Sequence, residues 1–131
     1  MATVTASLTL SSPDLTGDNL SLSTSSTLTK AGTVTGLDQT TGVSRKTYTT
    51  SSIQTLIAKG DYADDKAHKV YIRNTSSVAT ENIAVTIEAQ LLGRLYAGDW
   101  ALLPFNGDQD IKITPSVSTA LTVEFMVIYE S

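Results

Sequence analysis

The side chains that could do covalent chemistry are few. The only histidine, His68, lies in Asp64-Asp65-Lys66-Ala67-His68-Lys69, and there is no cysteine. A thiolate nucleophile and a sulfur-ligated metal are therefore excluded. Serine is abundant, but no Gly-X-Ser-X-Gly elbow exists to present one as the nucleophile of a Ser-His-Asp set. His68 reads as a solvated loop residue and the chain as a non-enzyme. Two acidic loops remain, one with Asp61, Asp64 and Asp65, the other with Asn106, Asp108 and Asp110. Calcium needs about six oxygens or more, and neither loop follows the cage pattern that ends in a bidentate Glu. Both read as turn-forming, solubilising clusters, so no metal and no cofactor are expected. Asn74-Thr75-Ser76 has the form of a glycosylation sequon, but Met1 to Leu10 has neither a basic start nor a continuous apolar run, so no secretory signal is read and the triplet is taken as a turn.

Bulk composition narrows the partners. In 131 residues, 9 Lys and Arg stand against 13 Asp and Glu, a net charge of -4, and so the positive field that binding to a phosphate backbone requires is missing. No apolar run approaches the roughly 20 residues that span a bilayer. The expectation is a soluble protein with no direct nucleic-acid or membrane partner. Hydrophobic residues at 40% are too many for a disordered chain, while charged residues at 17% are few for a free monomer, so stability must come from packing or association.

The elements that would position any site are strands. Leu121, Val123, Phe125, Val127 and Tyr129 alternate with Thr122, Glu124, Met126, Ile128 and Glu130, a period of two. Met126 and Ile128 make the second face apolar as well, so the far end of this strand reads as central or interfacial. Ile83, Val85, Ile87, Ala89 and Leu91 read as one long strand. Val70 and Ile72 give another, closed by Asn74 to Ser77, and Ile111 and Ile113 a short one stopped by Pro115. Ala97-Gly98-Asp99 and Asn106-Gly107 read as tight turns of the hairpin type. Turn signals every ten residues or so predict one all-β domain, an antiparallel β-sandwich or jelly roll of roughly eight strands.

The first half is Ser- and Thr-rich, with apolar residues alternating at Val4, Ala6, Leu8 and Leu10 and again at Leu20 and Leu22. Branched Thr favours extended chain. Residues 1–52 are read as an extended segment, part of the same fold or an assembly arm, and 53–131 as the sandwich core. Sparse apolar residues suggest that the first half completes its ordering on association, with proteolysis of the free chain between Thr16 and Thr50. One candidate helix, Ser52 to Lys59, places Ile53, Leu56 and Ile57 at helical spacing before Gly60, and the same residues also pair as a strand.

Gly93 to Phe105 is the densest stretch. Gly98 and Pro104 are similar to the second motif of the cupins, in which Gly, five residues and Pro precede a Gly and a metal-ligating His. Here Gly107 comes one position late, no His follows, and the first cupin motif is absent, so the resemblance implies a turn between jelly-roll strands and no metal site. Trp100 and Phe105 then read as core or interface aromatics, with Trp100 buried beside the Gly98 turn; a carbohydrate platform of Trp100, Tyr96 and Tyr71 is the alternative.

From Lys69 onward, the runs Lys69 to Thr75, Gly93 to Phe105 and Leu121 to Glu130 resemble the small virion structural proteins of tailed bacteriophages, especially marine and cyanobacterial ones. The resemblance implies a capsid decoration (cement) protein, or a tail or head-fibre accessory part. It would be made in the host cytoplasm, sit on the virion surface, and bind the major capsid protein or other virion proteins as a homo-oligomer, a trimer being favoured. On that reading the structural and interface candidates are Tyr96, Gly98, Trp100, Pro104, Phe105, Phe125, Met126 and Ile128.

Overall fold

A computed structural model describes residues 2–15 and 17–130. Among these residues there are eleven strands and no helix: β1 Thr5–Ser12, β2 Leu20–Thr27, β3 Gln39–Thr40, β4 Ser44–Tyr48, β5 Gln54–Ile57, β6 His68–Asn74, β7 Asn82–Ile87, β8 Gln90–Tyr96, β9 Trp100–Phe105, β10 Ile111–Pro115 and β11 Leu121–Tyr129. The strands from β4 onward form an antiparallel sandwich. One sheet runs β4-β11-β6-β9, with β3 prolonging β4 along β11, and the other runs β5-β10-β7-β8. β1 and β2 form a separate ribbon.

Alternation builds the core as period two requires. Val70, Ile72, Val123 and Val127 of the first sheet meet Ile83, Val85, Ile111 and Ile113 of the second, all buried in one cluster with Tyr48, Ile57, Phe105 and Leu121. Each such side chain contributes about 1.5 to 3 kcal/mol by leaving water.

Several local expectations change. Residues 54–57 are strand β5, paired with β10 and not helical. A single eight-residue helix is marginal in water, whereas pairing sets Ile57 opposite Ile111 and buries it. The run from Ile83 to Leu91 is two strands, because the chain reverses at Glu88-Ala89 with Glu88 at φ +52°. The Gly98 and Asn106-Gly107 turns are not hairpins: each carries the chain from one sheet to the other, β8 to β9 and β9 to β10. Gly98, at φ +82°, lets that crossing happen within three residues. Its N–H donates to the Asn74 carbonyl, and the Asn74 N–H donates to the carbonyl of Asp99.

The outward face of β11 is covered by the chain itself. Residues 28–37 fold back so that Leu28 and Leu37 bury Ile128, with Val4, Ala6 and Met126 packed against them. Ile128 is thus core, and Met126 is half-buried against the same cluster. The return is pinned by Leu28 donating to Val4 O at 2.8 Å, Leu37 to Leu28 O at 3.0 Å, and a 2.7 Å ion pair between Lys30 and Asp38. Glu130 closes it: one carboxylate oxygen accepts the N–H of Ala31 at 2.9 Å and of Ala67 at 3.2 Å, while the other lies 3.6 Å from Lys66 Nζ.

Candidate binding face

The outer face of the β11 sheet is a mixed aromatic and charged surface. β6 contributes Tyr71 and Arg73, β9 contributes Trp100 and Leu102, and β11 contributes Glu124 and Met126; cross-strand register sets Arg73 beside Trp100 and Tyr71 beside Leu102. Tyr71 Oη donates to Glu124 Oε1 at 2.9 Å, and Arg45, from β4, donates through Nε to Oε2 at 3.0 Å with a second nitrogen at 2.9 Å. The Tyr71 hydroxyl and then the Arg45 guanidinium hold the Glu124 carboxyl below the ordinary range. Burial, together with that carboxylate, pushes the Tyr71 hydroxyl up. Hydrogen-bonded this way, the side chains form a pre-set floor.

The β1–β2 ribbon forms a wall over this floor. Register pairs Thr5 with Thr27, Ser7 with Ser25, Thr9 with Ser23 and Ser11 with Ser21, so one ribbon face carries only hydroxyls. The other face carries Ala6, Leu8 and Leu10 from β1 with Leu20 and Leu22 from β2, interspersed with Ser12, Thr24 and Ser26. Ala6 seats on the Leu28, Leu37 and Ile128 cluster. Between ribbon and floor run two adjoining clefts of about 370 and 320 Å³ that share Ala6, Ser7, Trp100 and Leu102. Farther along the ribbon the leucine stripe is uncovered, with Leu10 46% and Leu22 45% exposed.

The expected site residues fall into separate places. Trp100 is 53% exposed, not buried beside the Gly98 turn, because it projects from the outer face of an edge strand. Pro104 is exposed on that strand, where a missing N–H is tolerated. Tyr96 is exposed at the end of β8 in the opposite sheet, so it does not join Trp100 and Tyr71 in one platform. Phe105 is core, Met126 and Phe125 are half-buried, and Ile128 is buried.

His68 is fully buried, not solvated. Its Nε2 lies 2.9 Å from Ala63 O and its Nδ1 accepts the Glu130 N–H at 3.3 Å, so the ring hydrogen belongs on Nε2. Tyr62, Phe105 and Tyr129 surround the ring. Asn74, also fully buried, donates to Glu81 O and Leu95 O and accepts from Ser76 N, tying β6 to the other sheet. Such burial removes it as a glycan acceptor. The signal for both was alternation: His68, Val70, Ile72 and Asn74 share one face of β6. In the acidic loops, Asp110 accepts the Lys59 N–H at 2.8 Å and donates its own N–H to Glu88, which is loop stapling. Among the described residues no three His, Asp or Glu side chains converge as metal ligands would. Compared with known proteins, the chain matches no family model, no curated protein and no solved structure.

Proposed function

We propose that the chain is a non-enzymatic structural protein of a bacteriophage particle, a decoration protein that stabilises the shell through contacts between subunits. The observation that carries the reading is the exposed apolar surface on a lightly charged sandwich: Trp100 and Leu102 on one sheet, Leu91 and Leu92 at 53% exposure on the open edge of the other. Surfaces of this kind are built to be covered. The strand order β4-β11-β6-β9 over β5-β10-β7-β8, which changes sheet at every connection except β7 to β8, supports a jelly roll, an architecture used by viral capsid proteins, lectins and cupins alike. Fold alone does not choose among these, and the resemblance of the Lys69 to Glu130 runs to phage virion proteins is what favours the first. On this reading the partners are the major capsid protein or other virion proteins, and the chain works as a homo-oligomer, a trimer being favoured. The test is heating of particles assembled with and without it. Particles lacking the chain should come apart at lower temperature while still infecting under mild conditions. Fully heat-stable particles that lack a tail or fail to adsorb would move the assignment to a tail or head-fibre accessory part.

A second reading is favoured by Trp100 and Tyr71 on one exposed face beside Arg73: a carbohydrate-binding module. A glycan array that retains the protein, and loses it with Trp100→Ala, selects this reading.

A further inference from the structure

A two-stranded ribbon is marginal in water unless a third strand or an apolar surface covers one face. At the base of the β1–β2 ribbon that cover exists, because Ala6 sits on Leu28, Leu37 and Ile128. Beyond it, Leu8 faces Trp100 and Leu102 across a cleft, Leu10 and Leu22 continue the same face with no such cover among the described residues, and Leu15 at the tip is 71% exposed. A second apolar feature lies elsewhere on the molecule. Where β8 and β9 edge the two sheets, the sandwich is open, and a dent of about 170 Å³ is lined by Leu92, Leu95, Ala101 and Leu103 with Arg94 at its rim. An apolar cavity of about 150 Å³ holds a benzene-sized group, so this dent accepts an aliphatic side chain.

We propose that the outer half of the ribbon is an exchange arm whose leucine stripe caps the open β8–β9 side of a second copy of this chain. Three observations select a second copy as the occupant. The stripe prolongs a face that already seats on this chain's own surface. From residue 5 to residue 27 the only ionisable side chains are Asp14 and Asp18 near the tip, whereas the dent carries the cationic Arg94, so arm and acceptor are complementary in charge. Stripe and dent are different patches, so each copy gives one and receives one; this head-to-tail contact closes into a ring if the rotation allows. The inference supplies the contact for the oligomer in the reading above, yet it is tested on the purified chain alone.

The chain has no cysteine, so introduced thiols report specific contacts. Leu22→Cys protein is mixed with Leu92→Cys protein under mild oxidation, and native mass spectrometry follows the wild-type chain. The expected result is a disulfide formed between the two variants and not by either alone, together with one closed oligomer that Leu10→Ser/Leu22→Ser and Leu92→Ser each abolish. Thr9→Ala, on the hydroxyl face, should leave the oligomer intact. A wild-type chain that stays monomeric at high micromolar concentration overturns the inference, as does an oligomer unaffected by the leucine variants. Linkage of Leu22→Cys to itself would mean ribbon-to-ribbon pairing and would also overturn it. A monomer that nonetheless raises particle heat resistance would sink the arm while leaving the decoration reading standing.

Discussion

Glu130 is predicted to fasten the first half of the chain to the sandwich, and replacing it tests how that half is held. Glu130→Ala removes the acceptor for two backbone N–H groups, Ala67 half-buried and Ala31 at the surface, as well as the Lys66 ion pair. A buried donor left unpaired costs about 1 to 3 kcal/mol, so with a smaller part from Ala31 the loss should be about 2 to 4 kcal/mol. Glu130→Gln keeps an oxygen in place but trades charge-assisted bonds for neutral ones, and should cost about 1 kcal/mol. Burial acts to raise the Glu130 pKa, but the Ala31 and Ala67 donors, with Lys66, outweigh it and hold the carboxyl below its ordinary value. A folded-state pKa that is depressed gives stabilisation fully present above the unfolded value of about 4.3 and lost as pH falls through the folded one. Urea denaturation followed by circular dichroism should therefore show wild type and Glu130→Gln converging as pH drops from about 5 towards 3. Hydrogen exchange at Ala31 should quicken in both variants. If Glu130→Ala unfolds within about 0.5 kcal/mol of wild type at neutral pH with the same acid limb, the fastening role is refuted.

Three further outcomes follow from burial and geometry. Trp100→Ala should shift stability by less than about 1 kcal/mol, since about half of the side chain is already in water; a loss of the about 3 to 5 kcal/mol typical of a core tryptophan would contradict the exposed placement. Tyr48→Phe should stabilise by about 1 kcal/mol in thermal melts, because the enclosed Tyr48 hydroxyl has no hydrogen-bond partner among the described residues. Gly107→Ala should fail to fold or melt far lower, as its Cβ would lie 2.3 Å from Ala63 O at φ +99°; a melting temperature equal to wild type would mean that the 63–107 contact does not exist.

Strand identity was legible wherever alternation alone decides it, as in β6, β10 and β11. What failed was set by partners distant in sequence. Nothing near Glu88-Ala89 marks a reversal, because Glu is not a turn former and the apolar alternation runs on through it. Glycine at 98 and 107 marks a bend, yet turn chemistry does not say which sheet the next strand joins. Met126 and Ile128 announce a face that must be covered, but the cover comes from Leu28 and Leu37, far earlier in the chain. Trp100 shows the converse: a large aromatic beside a turn suggests core, and only its place on the outer face of β9 exposes it. The ribbon's leucine stripe could be read from the spacing of Leu8, Leu10, Leu20 and Leu22, whereas its overhang could not.

The position of β11 sets a timetable for folding. This strand is central in its sheet, bonded to β3 and β4 on one side and to β6 on the other, yet it is the last of the eleven in chain order. While the chain is being synthesised, β4 and β6 therefore wait with unpaired edges until residues 121–129 leave the ribosome. Contacts between such distant segments form slowly, because loop closure precedes any gain from pairing. The nascent chain thus passes through an interval in which its sheet edges are open to other molecules, and Arg45 and Lys46 on β4 with Lys69 and Arg73 on β6 place charge along those edges before the last strand arrives.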